Sequence, residues 1–235
     1  MVRIKDLYKS FGRNEVLKGL TLDLNSSGIT AVLGPNGSGK TTLIKTILGL
    51  VIFESGSITI DDINIKGQYH YRNGIAHLPQ IAKFPDNLTP NELINMIKDL
   101  RQGSTREKEL IATFTLEKEL DKKMGTLSGG NRQKINLVLA LMYDCPLMIL
   151  DEPSTGLDPV ALIRLKAFLK RESSRGVNII ITTHIMDFVE QLAENIVFLL
   201  DGKIHFMGKL QDLLKQENEQ KLENAIAGIL SVSKE

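Results

Sequence analysis

Short apolar runs separated by turn residues open the chain. Arg3–Asp6, Thr21–Leu24 and Ile29–Leu33 each have strand character. Ile29–Leu33 is apolar, β-branched and stops at Gly34, the pattern of a buried strand. A helix is predicted from about Gly39 to Leu48, and a strand pair at Gly56–Ile60 and Asp62–Ile65. The character changes near Gln80. Thr89-Pro90-Asn91-Glu92 is a capping box with proline at the first helical position, and Leu93, Ile94, Met96, Ile97 and Leu100 supply an apolar face behind it. Ser104 or Thr105 is expected to cap a second helix carrying Leu110, Ile111 and Phe114, and a third is predicted from Ser128 to Tyr143. Strand character returns at Leu147–Leu150, Val177–Thr182 and Ile196–Leu200, with helices between them at about Val160–Arg171 and Ile185–Leu192.

Strands alternating with helices indicate an α/β fold with a mostly parallel sheet covered on both faces. The chain reads as one domain over residues 1–235, with a helical insert at about 81–145 and an amphipathic helical tail over 209–235.

Composition narrows the partners. With 42% hydrophobic and 24% charged residues the chain is globular in type. Lys+Arg number 29 against 28 Asp+Glu, so bulk charge does not recruit nucleic acid, although one local phosphate site remains open. Cys145 is the single cysteine, which excludes an internal disulfide and fits a reducing compartment. The most apolar stretch, Ile135–Leu150, is interrupted by Asn136, Asp144 and Pro146, and a membrane span needs about 20 mostly apolar residues. The chain is therefore expected on the cytoplasmic side, meeting the membrane through a partner. The methionines form no cluster and His70, His77 and His205 have no ligand spacing, so no metal is expected beyond Mg²⁺ with nucleotide.

Two motifs carry chemistry. Gly34-Pro35-Asn36-Gly37-Ser38-Gly39-Lys40-Thr41 matches G-x-x-x-x-G-K-[ST], between a predicted strand and a predicted helix. Glycines let several N–H groups point at phosphate oxygens, and the helix N-terminus adds favourable partial charge. Lys40 is assigned to the β- and γ-phosphates and the Thr41 hydroxyl to Mg²⁺, with Thr42 following in the same helical turn. Leu147–Leu150 then delivers Asp151 and Glu152 to the C-terminal edge of a sheet, where ligands bind. Asp151 is the candidate Mg²⁺ ligand, and Glu152 the candidate base for a hydrolytic water.

Together these residues resemble the ATP-binding cassette (ABC) ATPases. Leu127-Ser128-Gly129-Gly130-Asn131 is similar to their signature, with Asn131 in place of the usual glutamine. In the same order, Gln80 resembles the glutamine that senses Mg²⁺ and the attacking water, and Asp158 resembles the acidic residue of the D-loop. His184 resembles the switch histidine on the γ-phosphate. Phe11 resembles the aromatic that stacks on adenine, where tyrosine is more usual. The resemblance implies a P-loop NTPase fold: a RecA-like core with a mostly parallel sheet, an N-terminal antiparallel β subdomain and a helical insert. It implies an ATPase using ATP and Mg²⁺, paired head-to-tail with a second copy. Ser128, Gly129 and Gly130 of each copy then face the nucleotide held by the other. It also implies transmembrane permease subunits as partners.

The stretch His77–Thr89 is similar to the ATPase subunits that help assemble the copper sites of nitrous oxide reductase in the periplasm. That likeness implies a periplasmic accessory protein reached through the permease. ATPases of exporters for drugs, lipids or haem carry the same region in varied form. Only about 90 residues separate Lys40 from Ser128, too few for the coiled-coil arm of DNA-repair relatives, and no guanine-reading N-K-x-D is present.

Overall fold

The computed structural model describes residues 2–24 and 28–232. Strands β1 (Val2–Phe11) and β2 (Asn14–Leu24) form an antiparallel hairpin, with Gly12 in its turn. They are longer than the predicted pieces because ladder bonds carry them through the polar residues between the apolar runs. β3 (Gly28–Leu33) is buried at every position and leads into helix α1 (Lys40–Ile47). β4 (Ser55–Ile60) and β5 (Ile63–Asn64) return to the hairpin and complete a four-stranded antiparallel sheet in the order β2-β1-β4-β5.

The short strand β6 (Ile75–Leu78) starts the second half. Helices α2 (Pro90–Leu100), α3 (Glu107–Phe114) and α4 (Gly129–Leu141) follow before β7 (Leu147–Asp151). Then come α5 (Pro159–Ser174), β8 (Asn178–Thr182), α6 (Met186–Leu192), β9 (Asn195–Leu200) and β10 (Lys203–Lys209). The second sheet has the order β10-β9-β3-β8-β7-β6 and is parallel apart from its edge strand β10.

Alternation along the parallel strands divides the core. Val32, Ile149, Ile180 and Val197 pack with α1 and the antiparallel sheet, while Leu33, Leu150, Ile181 and Phe198 face the helices on the other side. Register places Asp151 opposite Thr182, and Val32 opposite Thr182 on its other flank. The chain segments leaving β3, β7 and β8 therefore emerge side by side at one sheet edge.

Three expectations need correction. Neither Ser104 nor Thr105 caps α3. Arg106 takes the cap position without a side-chain bond to the helix's own N–H groups, and Thr105 forms a bridge with Tyr143. The tail is two helices, α7 (Leu210–Gln216) and α8 (Leu222–Val232), broken near Asn218, which has φ 55°. The start of the tail, Lys209, belongs to β10, and residues 233–235 lie outside the described part. By contrast, the Thr89 capping box forms in both directions, with Glu92 Oε2 accepting the Thr89 N–H at 2.7 Å. No helix among the described residues is long and apolar enough to cross a membrane.

Candidate nucleotide site

The loop between β3 and α1 is held open by glycine. Gly34 has φ 146°, and a Cβ there would lie 2.1 Å from the Leu199 carbonyl oxygen, so no other residue fits. Gly37 has φ 83° with nothing within 4 Å of a Cβ position, so its surface is free to meet a ligand. Gly39 holds the cap position before helix α1, with no side-chain cap. Its first N–H groups therefore point into the loop without intrahelical partners. The Ser38 N–H closes the turn on Pro35 O at 3.2 Å, while the buried Ser38 hydroxyl has no partner. The Lys40 ammonium folds back onto the loop, donating to Gly34 O at 2.7 Å and Pro35 O at 2.9 Å. Partial burial lowers its pKa, and the carboxylates of Glu152 and Asp151 pull in the opposite direction.

The end of β7 supplies the acidic side. Asp151 is buried, and its carboxylate accepts the Thr182 hydroxyl from the next strand. Glu152 follows with φ 52°, a left-handed conformation that non-glycine residues adopt at a cost. Its N–H donates to Thr182 O at 2.9 Å, which anchors the turn. Its side chain is only 12% exposed; Oε2 accepts the Thr183 hydroxyl at 3.0 Å and Oε1 lies 2.9 Å from His184 Nδ1. The His184 ring itself is 76% exposed.

A cavity of about 690 Å³ joins these parts. Gly34, Asn36, Gly37, Gly39, Lys40, Thr41 and Thr42 form its floor, and Gln80, Asp151, Glu152 and His184 its far wall. Asn14 and Val16 of β2 close the remaining side, which sequence reasoning missed. Phe11 stands 52% exposed across the hairpin from Asn14, outside the cavity lining, with the Lys9 ammonium 4.9 Å from its ring centroid. Pro35 and Ser38 shape the loop without lining the cavity. The Thr41 hydroxyl, the Gln80 amide oxygen and the Asp151 carboxylate are hard oxygen donors around one space, a set that fits Mg²⁺. The dimensions suit a nucleoside triphosphate.

The signature residues stand elsewhere. Ser128 caps α4, its hydroxyl accepting the Asn131 N–H at 3.2 Å, and neither it nor Gly129 nor Gly130 lines the cavity. Gly130 packs beside the turn after Glu152, where a Cβ would lie 3.1 Å from Gly156 O. Asp158 caps α5 through the Ala161 N–H at 2.8 Å and pairs with Lys134 Nζ at 2.5 Å. Within one copy, then, Ser128, Gly129, Gly130 and Asp158 form a group separate from the phosphate loop.

Comparison with known proteins gives a consistent picture. The sequence profile of the ABC transporter family matches residues 17–155. The Bacillus subtilis protein YhaQ, an uncharacterized ABC transporter ATP-binding protein, is 36% identical over 91% of this chain and 72% of its own length. LptB of Haemophilus influenzae, a lipopolysaccharide export system ATP-binding protein, is 32% identical over 93% of this chain and 94% of its own. Among solved structures, an ATP-binding subunit of an ABC transporter superposes with a TM-score of 0.88 at 29% identity, covering 97% of this chain and 98% of that one. The chain belongs to the ABC transporter family and is one of its ATP-binding, ATP-hydrolysing subunits.

Proposed function

We propose that two copies of this chain close head-to-tail around ATP and Mg²⁺ and drive a separate transmembrane permease. The observation that carries this reading is the division of the site. The cavity holds Lys40, Thr41, Gln80, Asp151, Glu152 and His184, whereas Ser128, Gly129, Gly130 and Asp158 sit together outside it. A second copy turned by a two-fold axis brings the missing group to each cavity, and the symmetry makes two equivalent sites.

In each site the loop N–H groups and Lys40 hold the phosphates, and Phe11 stacks on the base. Thr41, Asp151 and Gln80 would hold Mg²⁺, which supplies charge neutralisation on the phosphate oxygens. Gln80 and Glu152 orient a water. Its oxygen bonds to the terminal phosphorus as the bond to the ADP oxygen breaks, and Glu152 takes the proton. His184 and the partner's signature donate to the transferred phosphoryl group.

Exposed apolar side chains support a permease as partner. Ile52, Ile81 and Leu100 are each solvent-exposed and are offered as contact points for it. For the cargo, the stretch His77–Thr89 favours copper-site assembly for nitrous oxide reductase, with a periplasmic accessory protein reached through the permease. The copper is the pathway's, not this chain's. The relative LptB supports the other reading, a generic export ATPase. Nitrous oxide reductase that loads its copper fully in a strain lacking this chain would leave only the export reading.

A mixing experiment tests the shared site. Lys40→Ala and Ser128→Arg proteins are each expected to be inactive alone. Combined, they form mixed pairs in which one site has an intact phosphate loop and an intact signature, so hydrolysis returns. No recovery on mixing would overturn the pairing.

A further inference from the structure

Lys134 lies in the second turn of α4, just past the signature, and its side chain is only 12% exposed. Its ammonium makes the 2.5 Å pair with Asp158, the residue that caps α5. Between Glu152 and Asp158 the chain has little slack. The Thr155 N–H donates to Glu152 O at 3.2 Å and the Leu157 N–H to Ser154 O at 3.3 Å. The close approach of Gly130 to Gly156 O ties the start of α4 to the same turn. An unbroken set of short contacts thus runs from the signature helix, through Lys134 and Asp158, back to the backbone of Glu152 in the same copy.

We propose that Lys134 is a positioning residue: its pair with Asp158 is a strut by which each copy's signature helix sets the placement of that copy's own Glu152. This rests on the paired reading above. When the signature of one copy docks on its partner's nucleotide, the strut transmits the displacement to the carboxylate in its own cavity. Each site thereby reports its occupancy to the other. Lys134 touches no substrate; it acts through Asp158 and Glu152. Because Asp158 is partly exposed, water competes with the pair, so the strut's value lies in geometry more than in stability.

The test compares Lys134→Met, which keeps the length of the side chain and removes the charge, with Lys134→Arg. Full-length proteins are assayed for steady-state hydrolysis against ATP concentration, for ATP affinity and for thermal midpoint. Two coupled sites allow a Hill coefficient of up to two, and a coupling of this kind is worth about 5–150-fold. Lys134→Met is expected to bring the Hill coefficient to one and to lower kcat about tenfold, with ATP affinity unchanged. Lys134→Arg is expected to restore both. If Lys134→Met does not fold, Lys134→Gln carries the same test, since it also removes the charge that pairs with Asp158 and leaves Asp158 in place as the cap of α5. A neutral variant with the cooperativity and kcat of the parent would overturn the strut and leave the pairing intact. A parent protein with a Hill coefficient of one that stays monomeric with ATP would overturn the pairing and the strut together.

Discussion

Glu152 Oε1 lies 2.9 Å from Nδ1 of His184, a contact between a nearly buried carboxylate and an exposed ring. With Nδ1 turned to Glu152, Nε2 is the ring atom left to meet a nucleotide. On the proposed reading, the base and the residue facing the terminal phosphate are therefore one hydrogen-bonded unit. Thr183 steadies that unit, its hydroxyl donating a hydrogen bond to Glu152 and accepting the Ile185 N–H at 3.2 Å.

Glu152→Gln removes the proton acceptor and keeps the shape. General-base catalysis contributes about 10²–10⁴-fold, so phosphate release is expected to fall by at least the lower figure. ATP should remain bound, and the paired species should accumulate in size-exclusion runs. Turnover at the parent rate would remove Glu152 from the role of base.

His184→Ala should separate activity from folding. The ring is exposed, so the thermal midpoint is expected to stay within the change of about 0.5 kcal/mol typical of surface substitutions. Hydrolysis should fall about 10²-fold, as for loss of one donor to a developing charge. A matched drop in stability and activity would point to a structural role.

Lys40→Met should abolish the stabilisation that ATP confers. For the parent, ligand at 100 times Kd adds about 2.7 kcal/mol, read as a shift in thermal midpoint. The nucleotide-free proteins should differ in pH dependence. Burial lowers the Lys40 pKa, so its desolvation cost is full below the lowered value and fades as pH rises toward 10.5. Relative to Lys40→Met, the nucleotide-free parent should gain stability as pH rises through that window. A difference that is flat with pH would contradict the burial.

Glu172→Ala should destabilise the fold without touching the cavity. Glu172 is fully buried and meets Arg106 at 2.7 Å, Arg175 at 3.0 Å and Arg171 at 3.2 Å. Arg106 also bonds Leu141 O at 3.0 Å, so the carboxylate pins α3 and the end of α4 to α5. Removing one partner of a buried pair costs about 3–5 kcal/mol, measurable by urea denaturation. Arg175→Ala, at the exposed rim, should cost under about 1 kcal/mol.

Ending the chain at Gly208 should expose α6. Leu213, Leu222, Ile226 and Ile229 are buried in the main core, and Glu190 of α6 accepts the Leu222 N–H. Each such side chain contributes about 1.5–3 kcal/mol by burial, so the truncated protein is expected to aggregate or melt well below the parent. A soluble truncate with an unchanged melting point would show that the tail does not cover the core.

Much of this architecture was legible because the parallel strands are almost wholly apolar and punctuated by glycine or carboxylate. Ile29–Leu33 and Leu147–Asp151 announce themselves. Ile75–Leu78 does not, being four residues long and containing His77. β10 escaped notice because its positions alternate between exposed and half-buried, with no fully covered face. The missed cap at Arg106 has a tertiary cause: its backbone N–H bonds Met142 O at 2.8 Å and its guanidinium bonds Glu172, holding the helix start by contacts from distant chain. Within the site, local motifs pointed to Lys40, Thr41, Asp151 and Glu152. Asn14 and Val16 carry no such mark. They reach the cavity only because the hairpin folds over the start of α1, and no local pattern encodes that.

The left-handed backbone at Glu152 sets a conflict between durability and work. Glycine would sit in that turn without strain, and asparagine would tolerate it better than glutamate. On the proposed role of Glu152, a version of this protein chosen only to survive heat would drift toward those residues and become a sturdy, idle shell. The glutamate is kept in an uncomfortable posture by Thr182 and Thr183, so those two threonines, chemically silent themselves, guard the engine against its own relaxation.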